Sequence, residues 1–343
     1  MKKIAATCML LLASCLAWAD DEASRVEVAR ELYAAFGAGD MPRILSLFSP
    51  EVEFIFHGPE HILPQAGVYK GREGVQDFFV RIADNFQLQR VEQKAFSASG
   101  KRVYVPGWEE GFSIATGGYY RADWVHILTI EEGQIVRFEE VTDSGEIAEA
   151  LAPADPERGK AYYTTCLACH GAQGEGNSNM HAPRLTLQEP EYIVRQLRHF
   201  RQMVRGGVQD FYGWQMNGRA AALPGDRALR DVAAYIDTLP DSYQAGEFDG
   251  DASSGERIYR QTCAACHGAR AEGLSELQSP ALRGLEGGYL LLQLENFASG
   301  LRGAHPDDQA GATMRAAMEV LDSEQAMKNV TSYIVSLTAA EVL

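Results

Sequence analysis

The chain has 343 residues, 46% of them hydrophobic and 23% charged. That length suits two to three domains of roughly 100–200 residues each, and that apolar fraction excludes a wholly disordered chain. A formal net charge of −16 argues against nucleic acid as a partner.

The chain opens with Lys2 and Lys3, then an apolar run from Ile4 to Ala19 that is too short for a comfortable membrane span. Ala17-Trp18-Ala19 puts small residues just before Asp20-Asp21-Glu22, so residues 1–19 read as a secretory signal peptide and the periplasm as the destination. Leu12-Ala13-Ser14-Cys15 resembles a bacterial lipobox, which makes a lipid anchor on Cys15 the competing reading. No later segment is long and apolar enough to span a bilayer, so a soluble mature body is expected. Of the six cysteines, Cys8 and Cys15 lie in this leader, and none of the other four is left for a disulfide, although an exported protein could carry one.

Residues 24–150 read as one α+β domain, helices first and antiparallel strands afterwards. Ser24 and Glu27 predict a capping box, and Val28, Leu32 and Phe36 predict one apolar helical face. A second helix is expected over 41–48, a strand over 51–57 and a third helix over 73–84. Strands are expected near 88–98, 101–115, 119–131 and 135–143, with Thr116-Gly117-Gly118 and Glu131-Glu132-Gly133-Gln134 as turns.

Three stretches carry a resemblance: Leu47-Phe48-Ser49-Pro50-Glu51-Val52-Glu53-Phe54, then Tyr69-Lys70-Gly71-Arg72-Glu73-Gly74-Val75 with Phe78-Phe79, then the hairpin around Trp124 to Phe138. The segment resembles SnoaL-like members of the NTF2-like superfamily. The resemblance implies a cone with a curved antiparallel sheet around a pocket, a frequent ligand site that could take a small apolar compound, and a fold that often pairs into homodimers. His57, His61, Trp108, Glu110, Tyr120, Trp124, His126 and Asp143 are the candidate pocket residues, and alternation puts Trp124, His126, Leu128 and Ile130 on one face. Three readings of His126 stay open: a hydrogen-bonded core histidine, a ligand contact, and a general acid or base. No catalytic trio can be placed.

After a Pro-rich junction at 151–156, the chain shows Cys166-Leu167-Ala168-Cys169-His170 and, 97 positions later, Cys263-Ala264-Ala265-Cys266-His267. Cys-x-x-Cys-His is the attachment signature of a c-type haem. Two thiols at that spacing can form thioethers to one porphyrin, and the adjoining imidazole becomes an axial ligand of the iron. Zinc would call for further thiols or histidines at finger-like spacing, and a dithiol redox motif would not need the histidine.

The motifs sit inside a longer repeat. Pro183 and Pro280 each follow their first cysteine by 17 residues; Arg205-Gly206 precedes Arg302-Gly303 by 97; Gly213, Met216 and Tyr235-Ile236 precede Gly311, Met314 and Tyr333-Ile334 by 98. A thioether sulfur commonly completes the coordination of electron-carrying c haems. Met180, Met203 and Met216 compete for the first iron, and Met314, Met318 and Met327 for the second; only Met216 and Met314 coincide under the internal alignment. Both lie in Gly-containing stretches rather than on an evident amphipathic face.

These modules, over 156–239 and 252–338, resemble class I cytochromes c, and their tandem arrangement is similar to the cytochrome c4 family of dihaem electron carriers. The resemblance implies two all-α domains with two covalently attached haem c groups. Gly159 and Gly255 would then be the glycines that let a closing helix cross the first helix, and Pro183 and Pro280 the prolines whose carbonyls accept the axial imidazole N–H.

Charge is uneven: −8 over 24–150, +2 over 156–239 and −8 over 240–343. Arg195, Arg198, Arg201 and Arg205 recur at helical spacing and read as a solvated face, or as groups pairing haem propionates or docking an acidic redox partner. With His170 and Met216 on one iron and His267 and Met314 on the other, both haems are expected to be six-coordinate. The sequence therefore predicts a periplasmic carrier of single electrons between respiratory or dehydrogenase proteins. The alternatives are a redox enzyme whose N-terminal pocket transforms a small apolar compound, and a sensing module that controls docking.

Overall fold

The computed structural model describes residues 21–241, 243, 246–321 and 323–337. The leader, its cleavage site and Cys15 lie outside the described residues. The chain divides into two compact units between Pro153 and Ala154.

The first unit opens with helix α1 (21–37), followed by α2 (Met41–Leu47), whose start is capped by the Asp40 carboxylate accepting from Arg43 N at 3.0 Å. Helix α1 is already formed at residue 21, so Ser24 and Glu27 lie inside it and the expected capping box is not made. Its first turn is held by distant backbone instead: Arg25 donates to the carbonyls of Ile130 and Gly100, and Glu22 accepts from Gly100 N.

Strand β1 (Phe48–Phe56), β2 (Gly67–Lys70), helix α3 (Gly71–Asn85), β3 (Phe86–Gln93), β4 (Ser97–Ser99), β5 (Arg102–Ser113), β6 (Tyr119–Glu131) and β7 (Gln134–Thr142) follow, and α4 (Ser144–Leu151) closes the unit. The sheet runs β2-β1-β7-β6-β5-β3, with β4 also on β5. It is mixed rather than purely antiparallel, because β1 and β7 pair in parallel across the long connection that such pairing requires. The strand expected over 88–98 splits in two. Between its halves the partner strand carries Pro106, which has no N–H to donate to a ladder.

Alternation builds the inner face. Val103, Leu128, Phe138 and Phe54 form one register row, and Val105, His126, Glu140 and Phe56 the next; all eight are buried. Ala29, Leu32 and Ala35 of α1 and Val75 and Phe78 of α3 close over these rows.

The second unit is two helical modules with matching parts. The first has α5 (Pro156–Tyr163), α6 (Leu167–His170), α7 (Pro190–Arg201), α8 (Phe211–Ala221) and α9 (Gly225–Asp237); the second has α10 (Ala252–Ile258), α11 (Ala264–His267), α12 (Gly287–Ser299), α13 (Gln309–Ala317) and α14 (Glu324–Ser336). Helix α5 crosses α9 so closely that a Cβ on Gly159 would stand 1.9 Å from the Asp231 carbonyl oxygen; on Gly255, where α10 crosses α14, it would stand 1.9 Å from that of Asn329. Only glycine fits either crossing. Tyr163 and Tyr259 are buried beside these crossings and donate to the carbonyls of Gly171 and Gly268 at 2.9 and 2.7 Å.

The modules fall out of step at one further place. Two residues separate Tyr163 from Cys166, but three separate Tyr259 from Cys263. The extra residue is absorbed by a π-helical turn over Tyr259–Cys263, the usual way a helix takes up an insertion without losing its direction.

Candidate haem centres

Each Cys-x-x-Cys-His stretch folds as one short helical turn, α6 begun by Cys166 and α11 by Cys263. A tight turn brings the two cysteines of a pair toward one side of the backbone and leaves the histidine to enter the module. His170 and His267 are buried. Their Nδ1 atoms lie 2.9 and 3.0 Å from the carbonyl oxygens of Pro183 and Pro280. A carbonyl can only accept, so Nδ1 carries the proton in each ring and Nε2 keeps the lone pair for a metal. Burial lowers the pKa of both imidazoles, against the opposing pull of those carbonyls, which keeps them in the neutral form a ligand requires. Burial also raises the free thiols of Cys166 and Cys263, the latter to about 11.

A cavity of about 670 Å³ runs through the unit and touches both modules, from Cys169, His170 and Pro183 to Cys263, Cys266, His267 and Pro280. Its walls are chiefly apolar, with Ile193, Leu197 and Phe200 on one side and Leu290, Leu294 and Phe297 on the other. Met216 and Met314 both line it, on α8 and α13. So do Met180, which is exposed, and Met318, which is buried in the second core. Met203 points its bulk to solvent and Met327 packs into the core of its own module.

The Gly-containing stretches around Met216 and Met314 are helical. Both sit on helices, each begun by a buried aspartate: Asp210 accepts from Gly213 N at 3.0 Å and Asp308 from Gly311 N at 2.8 Å. The two glycines therefore mark helix starts. A Cβ on either would lie within 2.2 Å of the capping carboxylate.

The arginine row is not a solvated face. Arg198 pairs with Asp226 at 2.7 Å, and Arg201 donates to the carbonyls of Leu223 and Gly225 at 2.9 Å. Arg195 reaches the second module at the Gln278 carbonyl, 2.5 Å away. Arg205 is buried; it donates to Gln196 at 2.6 Å in its own module, and to Gln293 at 2.8 Å and Tyr289 at 3.2 Å in the other. Arg302 repeats the pattern with Gln293, Gln196 and Tyr192. Tyr192, Gln196, Tyr289 and Gln293 were not singled out from the sequence, yet they coincide under the same 97-residue shift that pairs the arginines.

A haem suits this cavity. Cys169, His170 and Met216 face it from the first module, and Cys263, Cys266, His267 and Met314 from the second. Arg195 Nε, Arg205 Nε and His181 Nδ1, all on residues lining it, are buried without a hydrogen-bond partner; a carboxylate such as a haem propionate would complete them.

In the first unit the candidate pocket residues separate. Tyr120, Trp124 and His126 face inward and are buried. Tyr33 from α1 lies flat beside both rings of that pair, its hydroxyl 2.7 Å from His126 Nδ1. His126 Nε2 is 3.3 Å from Glu140 but off-line for a hydrogen bond. His57 and His61 are exposed, and Asp143 lies outside the cone at the start of α4. Trp108 and Glu110 face outward, Trp108 stacked under Arg121 at 4.1 Å. Their neighbour Glu109 takes the inward position opposite Ala122, where burial and the Glu140 charge push its carboxyl up to about 8, against a Tyr120 hydrogen bond.

The sequence profile of the SnoaL-like domain matches residues 29–138. That of cytochrome c matches 156–240 and 252–338, together half of the chain. The chain belongs to the cytochrome c family. It is similar to cytochrome c4 from Thiocapsa roseopersicina, 35% identical over 202 residues that cover 55% of this chain and 97% of that one. It is also similar to a thiosulfate dehydrogenase electron acceptor from Thiomonas intermedia, 29% identical over 182 residues covering 50% and 79%. Among solved structures, reduced recombinant cytochrome c4 from Pseudomonas stutzeri is 27% identical, covers 54% of this chain and 99% of its own, and superposes with a TM-score of 0.45.

This cytochrome carries two covalently bound haem c groups, one per Cys-x-x-Cys-His motif, behind an N-terminal SnoaL-like domain. It is a dihaem electron carrier. The haems supply one-electron chemistry when bound. The chain's residues tether them, fix the imidazole tautomer and exclude water with the apolar walls. Among the described residues no helix is long and apolar enough to cross a membrane.

Proposed function

We propose that this cytochrome works in the periplasm as a two-haem shuttle, with His170 and Met216 as the axial pair of the first iron and His267 and Met314 of the second. The observation that carries this is the repetition of the whole arrangement: in each module a proline carbonyl holds Nδ1, and a methionine faces the same cavity from a helix begun by a buried aspartate. Signal peptide 1–19, the domain 24–150 and the haem domains 156–239 and 252–338 are the division that goes with it. Its partners are redox proteins, and the likeness to a thiosulfate dehydrogenase electron acceptor favours oxidoreductases of sulfur compounds among the donors.

The domain over 24–150 serves as a small-molecule-binding or dimerisation module. Trp124 Nε1, buried without a partner beside Tyr33 and His126, favours a ligand carrying a hydrogen-bond acceptor.

The test is the spectrum of mature protein made with its haem-attachment machinery. Two haems per chain, and loss of the red thioether–iron absorption in steps on replacing Met216 and then Met314, are the expected results. Retention of that absorption in the double variant, or its loss on replacing Met180 or Met318 instead, would reassign the ligands.

A further inference from the structure

The two modules are closely matched inside but not outside. On α8 of the first module, Phe211 and Trp214 are 66% and 53% exposed, and Val208 just before the helix is 80% exposed. These three stand at intervals of three residues, so they rise on one side of the helix and its lead-in. Phe211 contacts Tyr212 at 5.3 Å between ring centres, and Tyr212 contacts His181 at 4.4 Å. Tyr212, His181 and the half-exposed Met180 line the haem cavity. A chain of aromatic rings therefore leads from the surface to the cavity wall on the first module's side. The second module carries Pro306, Gln309, Ala310 and Ala312 where the first has Val208, Phe211, Tyr212 and Trp214. Equal folds with unequal surfaces mean that folding does not require these side chains.

Charge differs in the same sense. Between residues 202 and 222 the only carboxylate is Asp210, which is buried and spent on capping α8, while Arg219 is exposed. The corresponding stretch of the second module also has one exposed arginine, Arg315, but adds two exposed carboxylates, Asp307 and Glu319. The first module nets +2 in a chain whose other two segments each net −8.

We propose that Val208, Phe211 and Trp214 form the docking surface of the first haem module for a redox protein that presents an apolar centre ringed by carboxylates. This rests on the carrier reading and adds a polarity to it: the protein partner meets the first module, not the second. Exposed aromatic side chains beside an exposed arginine, with no exposed carboxylate among them, suit short-lived contact, since the rings supply contact area at little entropic cost and the charge steers the approach.

The test uses reduced holoprotein and two oxidants, an acidic blue-copper protein and hexacyanoferrate(III). In each reaction one electron leaves the cytochrome, taking a haem iron from Fe(II) to Fe(III) and reducing Cu(II) to Cu(I) or hexacyanoferrate(III) to (II). The variant Phe211→Gln/Trp214→Ala installs the second module's own residues. Stopped-flow mixing is expected to show its reaction with the copper protein slowed at least about tenfold, the effect of losing one aromatic anchor, with the hexacyanoferrate rate unchanged. The wild-type rate with the copper protein should fall as salt rises. An unchanged copper-protein rate would overturn the proposal. So would an equal loss with both oxidants, which would make the side chains part of the haem pocket. A change from dimer to monomer without slowing would assign the patch to contact between copies and overturn it too. Hexacyanoferrate titration, expected to draw two electrons per chain from both proteins, one from each haem, keeps the carrier reading apart from this result.

Discussion

Arg205 and Arg302 each bond the other module's tyrosine and glutamine, and each also bonds its own module's glutamine, so Gln196 and Gln293 both accept from both arginines. Each guanidinium further lies over a phenylalanine of its own module, Phe200 at 4.6 Å and Phe297 at 4.5 Å. The join is thus a pseudo-two-fold contact built from one set of residues used twice.

Truncating either arginine should loosen that join. Arg205→Ala removes three charge-assisted hydrogen bonds and leaves buried acceptors behind, so chemical denaturation of the haem unit should show a loss of about 3 kcal/mol. The sharper measurement is a double-mutant cycle with Gln293→Ala. A coupling energy near zero would mean that the cross-module bond contributes nothing to stability.

Gly159→Ala and Gly255→Ala place a methyl group 1.9 Å from a carbonyl oxygen that belongs to a helix and cannot swing away. Each should lower the stability of its own module by about 1–3 kcal/mol or more. Amide exchange should quicken in α5 and α9 for the first variant, and in α10 and α14 for the second. Uniform quickening across both modules would contradict the local origin.

His199 stands in the first module 3.8 Å from Asp308 of the second, with Arg195, Arg205 and Arg302 around it. Burial pulls its pKa down to about 4, and the aspartate only partly opposes this. The folded chain then binds this proton less readily than the unfolded chain, so stability is full above about pH 6.5 and falls as pH drops toward 4. His199→Asn installs the residue found at the equivalent position, Asn296. Denaturation midpoints of the variant should depend less on pH between 4 and 6.5. An unchanged slope would remove His199 from the account.

Glu109 gives the opposite sign in the first unit. With a folded-state pKa of about 8 against an ordinary 4.5, the folded chain holds the proton more tightly than the unfolded chain. Stability contributed by this group is present below pH 4.5 and is lost as pH rises toward 8. Amide exchange from β5 and β6 should therefore quicken from pH 5 to pH 8 beyond the intrinsic change, and Glu109→Gln should flatten that trend.

The haem chemistry was legible in the sequence because covalent attachment demands a fixed local spacing, and the duplication supplied an internal comparison for Met216 and Met314. What escaped was set by tertiary structure. Glu110 was, with Asp143, an expected pocket carboxylate, and Glu109 is the one of its strand that faces inward; a step of one residue along β5 exchanges the faces, and no feature of Trp108-Glu109-Glu110 says which way the strand is turned. The arginine row looked solvated because its partners, Asp226, Gln278, Tyr289 and Gln293, lie 28 to 88 residues away. The helix starts before Met216 and Met314 also escaped, since Asp210 and Asp308, each three residues before a glycine, read as caps only once the helices are seen.

The mirrored clasp at the join has an evolutionary consequence. Two separate copies making that contact would have had to keep identical surfaces, because every substitution would appear on both sides at once. Joined in one polypeptide, the halves meet at a high effective concentration fixed by the linker, and each can mutate alone. Covalent linkage thereby released the halves from sameness, and one surface could grow aromatic while its twin stayed small and acidic.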